Sequence, residues 1–185
     1  MSLLAIVALV TIVFFLQDHA KEREAHSPEI TTSEFIKKVA PAAKREQQKY
    51  HIPASITIAQ AGLESDWGKS KLAYKYNNLF GIKANSKKHR VRMYTTENVN
   101  GKDIYVKQYF QTYDSWADSI AAHTLFIVNG TKDDHHRFKK VMSATNYKDA
   151  AQALQDGGYA TDPDYAKKLI YDIQKFHLDK YDEFK

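Results

Sequence analysis

Cysteine is absent from the 185 residues, which excludes a disulfide framework, a thiolate metal site and a lipidated N-terminal cysteine. A strong excess of one charge is also missing. The 27 basic and 22 acidic residues leave a net charge of +5, a mild bias toward anionic polymers and surfaces rather than the basic stripe of a nucleic-acid binder, so no nucleic-acid partner is expected. Neither an internal repeat nor a low-complexity tract is found. What remains, with 43% hydrophobic and 12% aromatic residues, is enough to bury the core of a single globular domain.

The one long hydrophobic run lies at the beginning. Leu3 to Leu16 is apolar apart from Thr11, close to the lower limit for crossing a bilayer. No small-x-small cleavage site follows it, which favours an uncleaved signal anchor over a cleaved signal peptide. No Lys or Arg precedes the run, whereas Lys21 and Arg23 follow it. That is the wrong charge order for a C-terminus outside the cell, and the expectation drawn is that the native N-terminus is incomplete here. Gln17 to Ile30 is charged and without apolar periodicity, as a stalk would be. The chain therefore divides into an anchor over 1–17, a polar stalk over 18–30 and a folded domain over 31–185, with a lipid bilayer met through residues 3–16 and an integral-membrane partner as a further expectation.

Within the domain, Thr31-Thr32-Ser33-Glu34 is a capping-box pattern. Phe35, Ile36, Val39, Ala42 and Ala43 then follow at helical spacing toward Tyr50. A second helix follows Pro53, carries Ile56, Ala59, Gln60 and Leu63, and is expected to stop at Gly68. A short third runs from Lys71 to Tyr76 and ends at Asn77-Asn78. Between Arg90 and Phe110 the period changes to two around Asn100-Gly101, the signature of a β-hairpin. Helices then return: one capped by Asp114 and carrying Trp116, Ile120, Leu125, Ile127 and Val128; one over Tyr147 to Gln155, stopped by Gly157-Gly158; and one from Asp162-Pro163 to about Leu178. The fold class is α+β, mainly helical, with one inserted hairpin and an apolar helix in front.

Chemistry concentrates in Gln60-Ala61-Gly62-Leu63-Glu64-Ser65-Asp66-Trp67-Gly68. Glu64 falls in the last turn of its helix, where the carbonyl end of the macrodipole disfavours negative charge, and Leu63 and Trp67 are placed to exclude water. Both effects raise a carboxyl pKa. A glutamic acid that keeps its proton near neutral pH can act as a general acid, although most helical Glu residues simply face solvent. A general acid of this kind commonly works with a second carboxylate that serves as base or nucleophile. Asp66 is excluded because positions two apart on a helix point to different faces. Glu97, near the hairpin tip, can fulfil the role, or it is a solvated turn carboxylate.

Four segments in order carry a resemblance. Ala61-x-Leu63-Glu64-Ser65-x-Trp67-Gly68, Asn77-Asn78-Leu79-Phe80-Gly81-Ile82-Lys83, Thr96-Glu97 before the Asn-Gly pair, and Gly158-Tyr159-Ala160-Thr161-Asp162-Pro163-x-Tyr165 resemble the N-acetylglucosaminidase domain of glycoside hydrolase family 73. The likeness covers roughly Ser33 to Leu178. It implies a lysozyme-like fold that cleaves the β-1,4 bond between N-acetylglucosamine and N-acetylmuramic acid in peptidoglycan glycan strands. It further implies Glu64 as catalytic acid, Glu97 as second carboxylate, and Tyr159 close to the scissile bond.

Asn77, Asn78 and Phe80 are expected to shape the sugar groove, amides binding hydroxyl and acetamido groups and the aromatic face stacking on a ring. Trp67 and Tyr165 complete the substrate-binding candidates, with a core role open for each tyrosine. Inversion, retention and participation of the substrate's own acetamido group all remain open, since spacing in sequence does not give the distance between carboxylates. A lytic transglycosylase using Glu64 alone and a non-catalytic wall-binding scaffold are the rival readings. No metal or other cofactor is expected. His135-His136 beside Asp133-Asp134 forms a polar loop with poor ligand geometry, and His123 is a helix residue rather than a ligand. Lys83, Lys87, Lys88, His89 and Arg90 are either a contact for anionic wall polymer or a charged loop. The domain is expected outside the cell, anchored by a single pass and facing the wall.

Overall fold

The computed structural model describes the backbone of residues 29–99 and 102–184, and the hairpin side chains up to 95 and from 104 onward. The expected anchor helix, nearly all of the stalk and the Asn100-Gly101 turn lie outside the described residues. Among those described, no helix is long and apolar enough to cross a membrane.

Helix α1 (Thr32–Tyr50) opens on the predicted capping box. The Thr31 hydroxyl accepts from the Glu34 amide at 3.2 Å, and Glu34 Oε2 accepts from the Thr31 amide at 2.9 Å. Its apolar stripe packs on α2 (Ala54–Ser65), in which every residue from Ala54 to Gly62 is buried. A helix stretch with no solvated face must sit inside the molecule, and the longer helices and the closing 3-10 turn pack around this one. Pro53, just before α2, offers no side-chain cap. The carboxylate of Asp182 reaches back to do so, accepting from the Ser55 amide at 2.8 Å and from its hydroxyl at 2.6 Å. Gln47 adds a second tie: its Oε1 accepts from the Ala54 amide and its Nε2 donates to the Glu183 carbonyl. The chain's last turns thereby fix the start of the central helix.

Helix α3 (Lys71–Tyr76) has the bounds read from the sequence, with Ser70 as cap and Asn77 in the left-handed region as stop. Strands β1 (Arg90–Val99) and β2 (Lys102–Gln111) pair antiparallel from Arg90↔Gln111 to Val99↔Lys102, leaving the two connecting positions that an Asn-Gly turn needs. Helices α4 (Trp116–Asn129), α5 (Lys139–Met142), α6 (Tyr147–Asp156) and α7 (Tyr165–Lys175) follow, then a 3-10 turn at Leu178–Tyr181.

Several boundaries differ from the sequence reading. Helix α2 is ended by Asp66, at φ 53°, not by Gly68. Ser115 rather than Asp114 caps α4, its hydroxyl accepting from the Asp118 amide. The last helix stops at Lys175, because His177 turns left-handed before the 3-10 segment. Helix α5 was not anticipated; it is four residues long and has no side-chain cap.

Candidate active site

The end of α2 is a built turn. The Ser65 hydroxyl donates to the Ala61 carbonyl one turn back and accepts from the Gly68 amide at 2.8 Å, pinning the chain as it leaves the helix. Asp66 and Trp67 both sit at φ 53°, a conformation that costs side-chain-bearing residues on the order of 1 kcal/mol or more and persists only where the surroundings enforce it. The enforcement is visible. The Trp67 ring folds back over Gly62, where an added Cβ would lie 2.7 Å from Cζ3, and it packs edge-on against Phe35 and Phe176. Gly68, at φ 84°, fits between Phe35 and Trp116 with no room for a side chain. The Leu-Glu-Ser-x-Trp-Gly stretch is thus a means of presenting Glu64 at a rigid corner.

Around Glu64 stand two stacked tyrosines, with ring centroids of Tyr159 and Tyr165 5.4 Å apart. The Tyr165 hydroxyl donates to Glu64 Oε1 at 3.2 Å and itself accepts from Gln60 Nε2 at 3.0 Å. Because Gln60 occupies the oxygen of Tyr165, the phenolic hydrogen is directed at the carboxyl group. Glu64 keeps a partial opening to solvent, yet burial raises its pKa to about 8, against the smaller downward pull of the Tyr165 hydrogen bond. The sequence assigned the water exclusion to Leu63 and Trp67. Leu63 and Trp67 are both partly buried against the core, and Leu63 also lines a shallow depression with Lys167, Lys168, Tyr171 and Asp172. The aromatic groups acting on Glu64 are the tyrosines, both buried and both held far above the ordinary phenol pKa by burial first and the Glu64 charge second.

The asparagine pair has work that the sequence did not disclose. Asn77 Nδ2 donates to the Tyr113 and Asp114 carbonyls. Asn78 Nδ2 donates to the carbonyls of Ile82 and Gln111 at 2.9 and 2.8 Å, and its Oδ1 accepts from the Ile82 amide. Both amide hydrogens of Asn78 are occupied, so it has none to give a sugar. With the backbone bonds from Gln111 to Ile82 and from Ala84 to Tyr109, the pair fastens the hairpin to the helical body. Phe80 is buried as well, stacked on His123 at 3.8 Å between ring centroids. Asn78 and Phe80 are therefore buried and engaged within the fold, whereas Trp67 is only partly buried, packed against the core.

Glu97 pairs with Ile104 in the hairpin register. Its side chain lies outside those described. Two residues near the acid were missed by the sequence reading. The spacing gives Gln60 only as one of the residues that mark the helix, and His123 as a helix residue rather than a ligand. The signal available was their polarity: each is a large polar side chain on a helix rich in apolar residues, and Gln60 lies one turn before Glu64. Among the described residues no cluster of His, Asp or Glu could hold a metal ion.

Residues 40–178 match the glucosaminidase family, described as mannosyl-glycoprotein endo-beta-N-acetylglucosaminidase. The exo-glucosaminidase LytG of Bacillus subtilis is 48% identical over 149 residues, 80% of this chain and 53% of that protein. The peptidoglycan hydrolase FlgJ of Escherichia coli is 35% identical over 147 residues, 76% of this chain and 45% of its own length. The chain thus spans about half the length of these relatives. Among solved structures, the catalytic domain of the autolysin Auto from Listeria monocytogenes superposes with a TM-score of 0.77 at 35% identity, covering 88% of this chain and 94% of that one. The mainly helical body, the single hairpin and the family match lead to one assignment: the chain belongs to the glucosaminidase family, glycoside hydrolase family 73.

Proposed function

We propose that this domain hydrolyses the β-1,4 bond between N-acetylglucosamine and N-acetylmuramic acid within peptidoglycan strands, with Glu64 as general acid and Glu97 as second carboxylate. The observation that carries this reading is the state of Glu64: a carboxyl group with a pKa near 8, partly open to solvent, and oriented by Tyr165. Since Tyr165 donates to Oε1, the proton of the neutral acid belongs on Oε2, available to the bridging oxygen of a leaving sugar. Glu97, carried on a hairpin, supplies the carboxylate that activates water or stabilises the positive charge developing on the ring. Tyr159 lies beside the acid at the scissile bond.

Digestion of purified peptidoglycan, with mass spectrometry of the new ends, tests the reading. N-acetylglucosamine reducing ends are the expected product, and Glu97→Gln is expected to reduce their formation by roughly a hundredfold or more. Anhydro ends together with a fully active Glu97→Gln variant would identify a transglycosylase instead. The name of the B. subtilis relative favours an exo mode as a second reading. Early products then decide: oligosaccharides of many lengths mean internal cleavage, and disaccharides alone mean release from strand ends.

We also propose that residues 3–16 hold the domain at the outer face of the cell membrane. Recovery of the full chain in a salt-washed membrane fraction is the expected result, and recovery in the soluble fraction would remove the anchor.

A further inference from the structure

Two stacked tyrosines flank Glu64, and each has a buried nitrogen behind its hydroxyl. Gln60 Nε2 donates to Tyr165 at 3.0 Å. His123 Nε2 lies at the same distance from the Tyr159 hydroxyl. His123 is buried, one ring face covered by Phe80, the ring edge-on to Tyr159. Its other nitrogen, Nδ1, is buried and has no hydrogen-bond partner among the described residues.

That asymmetry selects the tautomer. A buried N–H without an acceptor is rarer and costlier than a ring nitrogen left with an unused lone pair. The hydrogen therefore belongs on Nε2, which donates to Tyr159, and Nδ1 is bare. Tyr159 then accepts from behind, and its own hydroxyl hydrogen is free to point elsewhere. With the opposite tautomer, Tyr159 would have to donate into Nε2 and would offer the site only lone pairs.

Building on the glucosaminidase reading above, we propose that His123 is a positioning residue, which by donating its Nε2 hydrogen to Tyr159 turns the Tyr159 hydroxyl hydrogen out of the core and toward the sugar bound beside Glu64. It is the counterpart of Gln60, which turns the Tyr165 hydrogen toward the acid itself. The role requires an imidazole that stays neutral, and burial lowers the His123 pKa to about 3. The acceptor for the Tyr159 hydrogen is the bridging oxygen of the scissile bond, which gains negative character as its bond to the anomeric carbon breaks. His123 itself never touches it.

Nitrogen-15 NMR of the full chain, labelled at histidine, reads the tautomer directly. The expected spectrum has His123 protonated at Nε2 and bare at Nδ1, unchanged between pH 5 and 9. An Nδ1-protonated ring, or a ring that titrates in that window, would overturn the proposal. Kinetics gives the second arm. His123→Phe keeps the stack on Phe80 but has no donor, and its kcat is expected to fall about tenfold with KM little changed, while His123→Gln, whose amide can donate from the same place, recovers most of the loss. In a Tyr159→Phe background the His123→Phe change should add nothing further. Additive losses, an unimpaired His123→Phe, or a Gln variant as poor as the Phe variant would each place His123 outside the reaction. Failure of the glucosaminidase reading would appear differently, as a Glu64→Gln enzyme with parental turnover, and the tautomer would still be readable.

Discussion

Glu64→Gln is expected to lower turnover on purified peptidoglycan by roughly 10²–10⁴-fold while leaving the circular dichroism spectrum unchanged, the usual size of a general-acid contribution. The amide is nearly isosteric with the acid and can still accept the Tyr165 hydrogen at the position of Oε1. What it lacks is a proton that can be transferred. The pH dependence sharpens the expectation. In the free enzyme Glu64 must be protonated, so kcat/KM should fall on the alkaline side with an apparent pKa of about 8, and that limb should disappear from the residual activity of the variant. An alkaline limb that persists in Glu64→Gln, or parental turnover by the variant, would show that some other group donates the proton.

The parts of the fold that could be read from sequence are those whose cause is local. The Thr31–Glu34 box, the Lys71–Tyr76 helix and the Asn-Gly hairpin were recoverable because caps, stops and turn chemistry act over three or four residues. Glu64 was legible as a raised acid for the same reason, being a lone carboxylate at the apolar end of a helix. The cause given for its pKa was only partly right. Burial dominates, and the hydrogen bond from Tyr165, 101 positions away in the chain, pulls the other way; no periodicity announces a contact at that separation. The asparagines failed in the opposite direction. Amides beside aromatic residues looked like sugar ligands, but the carbonyls they bind, at Ile82, Gln111, Tyr113 and Asp114, come together only when the hairpin returns to the helical body. The Trp67 ring turns back over its own helix because Gly62 has no side chain to block it, and a glycine five residues earlier does not announce that fold-back in the sequence.

The same Glu64→Gln substitution is expected to stabilise the protein, increasingly so as the pH rises. Unfolded, the carboxyl titrates near its model value of 4.5; folded, near 8. Below pH 4.5 both states hold the proton and the group contributes no pH dependence. Between the two values the folded state retains a proton that the unfolded chain releases, so unfolding becomes easier with each unit of pH, and the penalty levels off once the folded carboxyl also ionises. Converted at 1.36 kcal/mol per unit and discounted for the opening to solvent, the penalty is roughly 2–4 kcal/mol above pH 8. Glutamine, which does not ionise, avoids it. Urea midpoints of parent and variant should differ little at pH 4 and diverge steadily to pH 9, with the variant the more stable; titrations shared by both chains, such as that of Asp182, cancel in the difference. A gap that stays constant with pH, or a variant less stable at pH 9, would mean that Glu64 ionises like an exposed carboxylate. The enzyme would then have no neutral acid to use, because the cost of burying Glu64 and its capacity to donate a proton are two consequences of one raised pKa.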